Sequence, residues 1–342
     1  MFCRKEFFFL SKFVLEPFLS IYFGIIFIFD GISFLFYISF LAFLITKLIK
    51  KDIYFCPGFY TLIIFNGFFD ILFLIEEQSS FRIPLSGSFE NFYLKDFSNS
   101  PIASICTIYS MCHLIFIALS SITLSINRLH TLFNPFSYKK YWTGWKLILF
   151  CIWPILIELP IFLNYYPSEV YYAKDKYGRI TVFFSDLKVY FKLFDIINHI
   201  HIVTLIINTF FNIILIVKLK KEVEKSKKIN KHYRVNTLMS KFATCYFILI
   251  FFIITLENVM KLLAENKYYN MAESILTIYV IVESTIIFYT PYTFLIISNT
   301  IRLKYFKFIG LKVSNIVDTI ESIVIVNRKN GNNDNKIVLK KF

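Results

Sequence analysis

Residues 102–136 read IASICTIYSMCHLIFIALSSITLSINRLHTLFNPF, and the reading of this stretch decides the fold. From Ile102 to Ile126 there is no Asp, Glu, Lys or Arg. At about 1.5 Å per residue, a helix over this run crosses a hydrocarbon layer of about 30 Å. Asn127 and Arg128 follow at once, and Pro135 stands seven residues beyond the Arg. An Arg at the end of a span either snorkels to the interface or turns inward toward its neighbours, and a Pro marks where the helix stops. On chemistry alone, Arg128 is an interfacial anchor or part of a switch.

Working outward, six further apolar runs have spanning length: 22–46, 55–75, 147–163, 196–217, 242–263 and 274–298, with 102–126 the third of seven. The composition agrees. Apolar residues make up 57% of the 342, Phe alone accounts for 43, and the mean hydropathy is +0.61. A soluble domain has about 45–50% apolar residues. In lipid the backbone must satisfy its own hydrogen bonds, and long runs without period-2 alternation do so as helices rather than barrel strands. The expected fold is all-α, a seven-transmembrane helix bundle over residues 1–310, with a cytoplasmic tail, partly disordered, over 311–342. The first run follows Arg4, Lys5 and Lys12 as a signal peptide would, but no small-residue cleavage site comes after it, so it reads as a retained span.

Flanking Lys and Arg set the orientation. With the N-terminus outside, the cytoplasmic side holds Lys47, Lys50 and Lys51, then Arg128, Lys139, Lys140 and Lys146, then the Lys-rich segment Lys218–Lys241 and the tail. The other side holds fewer, among them Arg82, Lys95, Lys174 and Lys267. N-out, C-in is expected, in the plasma membrane. The net charge of +14 is spread over the cytoplasmic loops and tail. It therefore implies an anionic inner leaflet as partner rather than nucleic acid, for which no module is visible.

Six cysteines show no disulfide framework and no CxxC pair, and there is no HExxH, GxSxG or GxxxxGK[ST]. No catalytic residue, metal site or cofactor is proposed, and the chain is not read as an enzyme. Ionisable groups inside apolar runs are the next signal, because each costs at least about 2.5–3.5 kcal/mol to insert unless partnered. Asp70 and Glu257 fall in the outer halves of their spans, Glu158 and Glu283 nearer the midplane, and His113 lies mid-span in the third. Together they are candidates for a polar ligand pocket opening outward. The bland alternative is that they are neutral or pair with Lys261 or Tyr hydroxyls.

The Ser125-Ile126-Asn127-Arg128 run resembles the rhodopsin-type G protein-coupled receptors in its amide-plus-Arg at the inner end of helix three with Pro seven residues on. Followed by Phe133-Asn134-Pro135, Tyr138 and the aromatic-basic cluster ending in Trp142, it resembles more closely the nematode serpentine chemoreceptors, class gamma in particular. Arg82-Ile83-Pro84, a loop of about thirty residues after the fourth span, and Pro291-Tyr292 before Ser298-Asn299-Thr300-Ile301-Arg302 agree with it. The resemblance implies a chemosensory receptor: a small-molecule ligand enters an outer pocket and the inner face recruits a heterotrimeric G protein, with Asn127, Arg128, Pro135, Pro291 and Tyr292 in coupling and switching roles. Departures are visible too. Asn127 stands where an acid usually precedes the Arg, no Cys occurs between Asn164 and Asp195 to pair with Cys106, and Thr290-Pro291-Tyr292 replaces Asn-Pro-x-x-Tyr. A multi-span transporter or ligand-gated channel using the same carboxylates is the alternative. The Asn127-Arg128 to Pro135 spacing, the odd span count and the lack of internal repeats favour the receptor.

Overall fold

The computed structural model describes residues 16–174, 179–225, 231–266 and 268–311. Seven of its helices are long and apolar enough to cross a membrane. They are α1 (Glu16–Ile49), α2 (Pro57–Glu77), α3 (Pro101–Phe133), α4 (Gly144–Tyr165), α5 (Leu187–Lys225), α6 (Lys231–Glu265) and α7 (Tyr269–Ile297), followed by a short α8 (Asn299–Phe308). The seven expected runs fall one to one on these helices. The described residues up to Pro291 form one compact unit and those from Tyr292 another.

Within the first unit α3 is the central element and packs on α2, α4, α5 and α6. Its N-terminus follows from Ser100, whose hydroxyl accepts from the Ile102 N–H at 3.2 Å, and from Pro101 in the first turn, where its missing N–H costs nothing. At the other end Asn134 leaves helical geometry and its side chain accepts from the Ser137 N–H, so a short helix Pro135–Tyr141 starts in a new direction. Gly144, at φ +60°, then makes the turn into α4 that an L side chain resists.

The burial pattern inverts that of a water-soluble bundle. Ser120, Ser121, Thr123, Ser125 and Asn127 on α3 are all buried, while Val203, Ile206, Phe210 and Ile213 on α5 are exposed. Lipid is as apolar as Leu, so the small polar residues face inward, let helices approach and hydrogen-bond across the seam. Asn208 of α5 donates to Ser121 Oγ at 2.6 Å and accepts from Ser125 Oγ at 3.1 Å, and Trp153 of α4 donates to Thr123 Oγ1 at 2.7 Å.

Two features differ from the sequence expectation. The second span does not stop near Ile75: a wider, π-type turn at Gln78–Arg82 and a helical turn at Ile83–Leu85 carry it to Leu85. Arg82, read as a loop flank, is thereby buried in the bundle. The loop after α4 holds an antiparallel hairpin, β1 (Val170–Lys174) and β2 (Ile180–Phe184), with Val170 opposite Phe184 and Tyr172 opposite Val182.

The hairpin is fastened without a disulfide; Cys56, Cys106, Cys112, Cys151 and Cys245 are free. Tyr172 donates to the Ser80 carbonyl at 2.6 Å and Tyr93 to the Ser79 carbonyl at 2.5 Å, both acceptors in or beside the widened turn. The Ser98 hydroxyl accepts from the Tyr172 N–H, and the rings of Tyr93, Phe97 and Tyr172 pack together. Burial raises the Tyr93 and Tyr172 hydroxyls above the usual phenol range, so both remain donors.

In the second unit, the Ser298 hydroxyl caps α8 by accepting from the Ile301 N–H. Arg302 donates to the Leu295 carbonyl at 3.2 Å and to Asn299 Oδ1 at 2.5 Å.

Candidate functional site

Burying charge in lipid demands partners, and the expected pocket residues divide by the partners they find. Asp70 and His113 form one group. Tyr37 of α1 donates to Asp70 Oδ2 at 2.7 Å, and His113 Nε2 lies 3.6 Å from Asp70 Oδ1. The fully buried imidazole is sandwiched by Phe73 and Phe116, with ring centroids at 4.5 and 5.6 Å. This group ties α1, α2 and α3.

Glu257 and Glu283 belong to a second group, where α5, α6 and α7 meet. His201 Nδ1 lies 2.7 Å from Glu257 Oε2, and Tyr279 donates to Glu257 Oε1 at 3.3 Å. Glu283, one helical turn beyond Tyr279, stands with His201 at the wall of a cavity. The rest of its lining is aliphatic, from α3 (Leu114, Ile117, Ala118), α6 (Ile250, Ile253, Ile254) and α7 (Ile286). The void has room for little more than one water molecule. Nearer the hairpin end, Lys261 of α6 pairs with Asp195 of α5 and lies 3.7 Å from Glu265.

Glu158 is apart from both groups. It is buried on α4 with Tyr109 and Cys112 of α3 as electrostatic neighbours.

A third cluster was not among the sequence candidates. Arg82 pairs with Asp30 of α1 and with Glu77 Oε1, the latter through Nε at 2.8 Å and Nη2 at 2.7 Å, and donates to Ser284 Oγ of α7 at 2.8 Å. Gln78 reaches Asp30 Oδ2 at 3.3 Å, Ser80 bonds Glu76, and Glu283 has Arg82 and Glu77 as neighbours. Asp30 sits in an apolar run and was open to the same insertion-cost reading as Asp70. Glu76, Glu77 and Arg82 were hidden by the polar stretch that ends the second run. His201 gave no signal beyond being one of two His in the fifth span, with His199.

The opposite end of the bundle gathers the residues from Asn127 to Trp142. Asn127 is fully buried, donates from Nδ2 to the Tyr138 hydroxyl at 2.9 Å, and takes part with Tyr138 in a reciprocal contact at Oδ1. Arg128 is buried, with its guanidinium carbon 3.4 Å from the centroid of the Phe59 ring. Its Nε and Nη2 atoms are buried and have no hydrogen-bond partner. Burial and the nearby Cys56 push the Tyr138 hydroxyl above its usual range against the pull of Arg128. Trp142 closes the corner, stacked on Phe150 at 4.4 Å and donating to His130 Nδ1 at 3.1 Å. Pro135 opens the short helix that carries Tyr138. Pro291 lies inside α7, and Tyr292 follows it on the same helix.

Among the described residues, no group of three or more His, Cys, Asp and Glu side chains is placed to hold a metal ion. A family model described as serpentine type 7TM GPCR chemoreceptor Srv matches residues 23–311. The chain belongs to that family. No curated protein matches it. As an Srv chain it is a multi-pass membrane protein of the serpentine chemoreceptor kind, and the match takes in every candidate residue from Asp70 to Tyr292. The family description names Srv, without reference to class gamma or to the rhodopsin-type receptors.

Proposed function

We propose that this Srv chain is a chemosensory receptor that takes a small-molecule ligand between α3, α5, α6 and α7, and that its Arg128 end faces the cytoplasm and recruits a heterotrimeric G protein. Placement in class gamma and within the rhodopsin-like receptors is part of this proposal and rests on the Ser125–Trp142 run. The observation that carries the ligand half is the lining of the cavity: aliphatic side chains offer apolar area and Glu283 with His201 the few polar groups that orient a ligand. Because the void holds little more than one water, the helices must part to admit a ligand there.

The Arg128 end supports the coupling half. A buried guanidinium with two nitrogens lacking acceptors is costly to hold, and acceptors supplied by a rearranged bundle or an incoming protein segment relieve that cost. A ligand that binds one helix arrangement better than another shifts the population toward it, which links the two ends. A transporter reading has no comparable observation in its favour.

The test is a ligand-panel screen with a second-messenger readout in heterologous cells, repeated with Ile254→Ala. Enlarging the cavity wall is expected to move the order of potencies toward bulkier ligands with surface expression retained. An unchanged order places the ligand elsewhere.

A further inference from the structure

The corner where the short helix Pro135–Tyr141 meets α4 is both strongly basic and openly apolar. Lys139, Lys140, Tyr141 and Trp145 are exposed there. Lys146 Nζ lies 4.8 Å from the Tyr141 ring centroid and 5.8 Å from that of Trp145, so one ammonium is held between two aromatic rings. Along the chain no acid interrupts this basic stretch: between Asp96 and Glu158 the sequence contains neither Asp nor Glu. Thr143, which precedes the first turn of α4, turns its hydroxyl back to the Lys139 carbonyl at 2.6 Å and gives that turn no side-chain cap.

From this corner an exposed stripe of Trp145, Ile148, Leu149, Leu156, Leu159 and Leu163 runs along α4 at helical spacing. It is the face a spanning helix turns to acyl chains. The cationic corner therefore continues directly into an acyl-chain surface, and an occupant that matches both must carry a negative head on apolar tails.

We propose that this corner is a binding site for the headgroup of an acidic phospholipid, with Lys139, Lys140 and Lys146 as its cationic donors and Tyr141 and Trp145 fixing its depth at the interface. Charge complementarity and continuity with the α4 stripe select the lipid over a soluble anion, which has no use for the apolar face. Basic side chains at a surface draw anionic lipids additively, and aromatic rings settle at the headgroup level. In a cell the site meets acidic lipid because the Arg128 end faces the cytoplasm, an orientation that rests on the proposed function; in a symmetric bilayer it operates regardless of orientation or signalling.

The test places the purified full-length chain in nanodiscs of phosphatidylcholine with a rising fraction of phosphatidylserine, one of the two lipids brominated near the headgroup, and reads quenching of tryptophan emission. Brominated phosphatidylserine is expected to quench at roughly a tenfold lower mole fraction than brominated phosphatidylcholine, a preference that shrinks as salt is raised. Combining Lys139→Gln, Lys140→Gln and Lys146→Gln should make the two curves coincide, while the same three positions as Arg should keep them apart. Trp145→Phe should remove the lipid-selective part of the signal, and this variant with the salt series decides the matter if the triple Gln chain fails to fold.

Equal quenching by both lipids in the wild type, or a preference that survives the triple Gln change, overturns the proposal. A triple Gln chain that keeps its lipid preference but fails to activate a G protein marks the corner as a protein-docking face instead. Loss of lipid preference with signalling intact leaves the receptor reading untouched, so the two fail separately.

Discussion

Gly58→Ala tests the packing at the Arg128 end. Gly58 lies in the first turn of α2, and the space at its Cα is the reason for a glycine there. An added Cβ would stand 2.6 Å from Trp142 Cβ, 2.7 Å from the Tyr138 hydroxyl and 3.0 Å from the Trp142 carbonyl oxygen. None of the three can move freely. Trp142 is fully buried, stacked on Phe150 and bonded to His130, and Tyr138 is bonded to Asn127. Overpacking of this kind costs about 1–3 kcal/mol, and the helix-propensity gain of Ala over Gly, about 1 kcal/mol in a helix interior, is smaller in a first turn.

Gly67→Ala, deeper in α2, is the control. Its Cβ would meet the Leu41 methyls at 2.8 and 3.0 Å and the Tyr37 hydroxyl at 3.0 Å. The methyls are the far end of a flexible side chain, the Tyr37 hydroxyl, bonded to Asp70, has to give by only a few tenths of an ångström, and the full propensity gain applies. We expect Gly58→Ala to be destabilised by about 1–2 kcal/mol and Gly67→Ala by no more than about 0.5 kcal/mol. A thiol-reactive dye reports the difference, since buried Cys112 and Cys151 become reactive as the chain unfolds on heating. If Gly58→Ala melts with the wild type, or Gly67→Ala falls as far, the close approach of α2 to Trp142 is wrong.

The remaining predictions address topology, the acids and the hairpin. An epitope at the N-terminus should be reached by antibody on unpermeabilised cells and one after Phe342 should not; the reverse pattern sinks the receptor reading. Among the amide variants Asp70→Asn, Glu257→Gln and Glu283→Gln, at least one should lose agonist potency by more than about tenfold, roughly 1.4 kcal/mol, and three unchanged potencies would make these acids structural partners only. Tyr172→Phe keeps the ring against Tyr93 and Phe97 but deletes the bond to Ser80, a loss of about 1 kcal/mol. Amide hydrogen exchange over the strands 170–174 and 180–184 should quicken by roughly fivefold, and unaltered exchange would mean that the hydroxyl does not fasten the hairpin.

Run length made the seven helices legible, because the hydrocarbon thickness imposes it on each span independently. The Asn127-Arg128 to Pro135 stretch was legible as an end of a helix for the same local reason. What escaped depends on contacts between distant positions. Arg82 follows six residues from Glu76 to Phe81 that break the apolar run, so hydropathy closes the span early; its burial is decided by Asp30 on α1 and Ser284 on α7. The hairpin had a signal, the β-branched and aromatic clusters Val170-Tyr171-Tyr172 and Ile180-Thr181-Val182-Phe183-Phe184, but the all-helical context masked it. Asp70, Glu257 and Glu283 stood out as acids in apolar runs. That Asp70 goes with His113 while the other two flank the His201 group is a matter of helix packing, which no local pattern encodes.

Coupling through the Arg128 end is measured most directly by agonist-evoked second-messenger output from Arg128→Ala beside wild type, with surface expression and ligand binding measured on the same cells. Arg128 lies about 15 Å along α3 from the cavity-lining Ala118, and its described neighbours are Phe59, Tyr138, Cys56 and Tyr60. The signal is expected to be abolished while surface expression and binding persist. A full signal from Arg128→Ala would contradict it and leave Arg128 as an anchor.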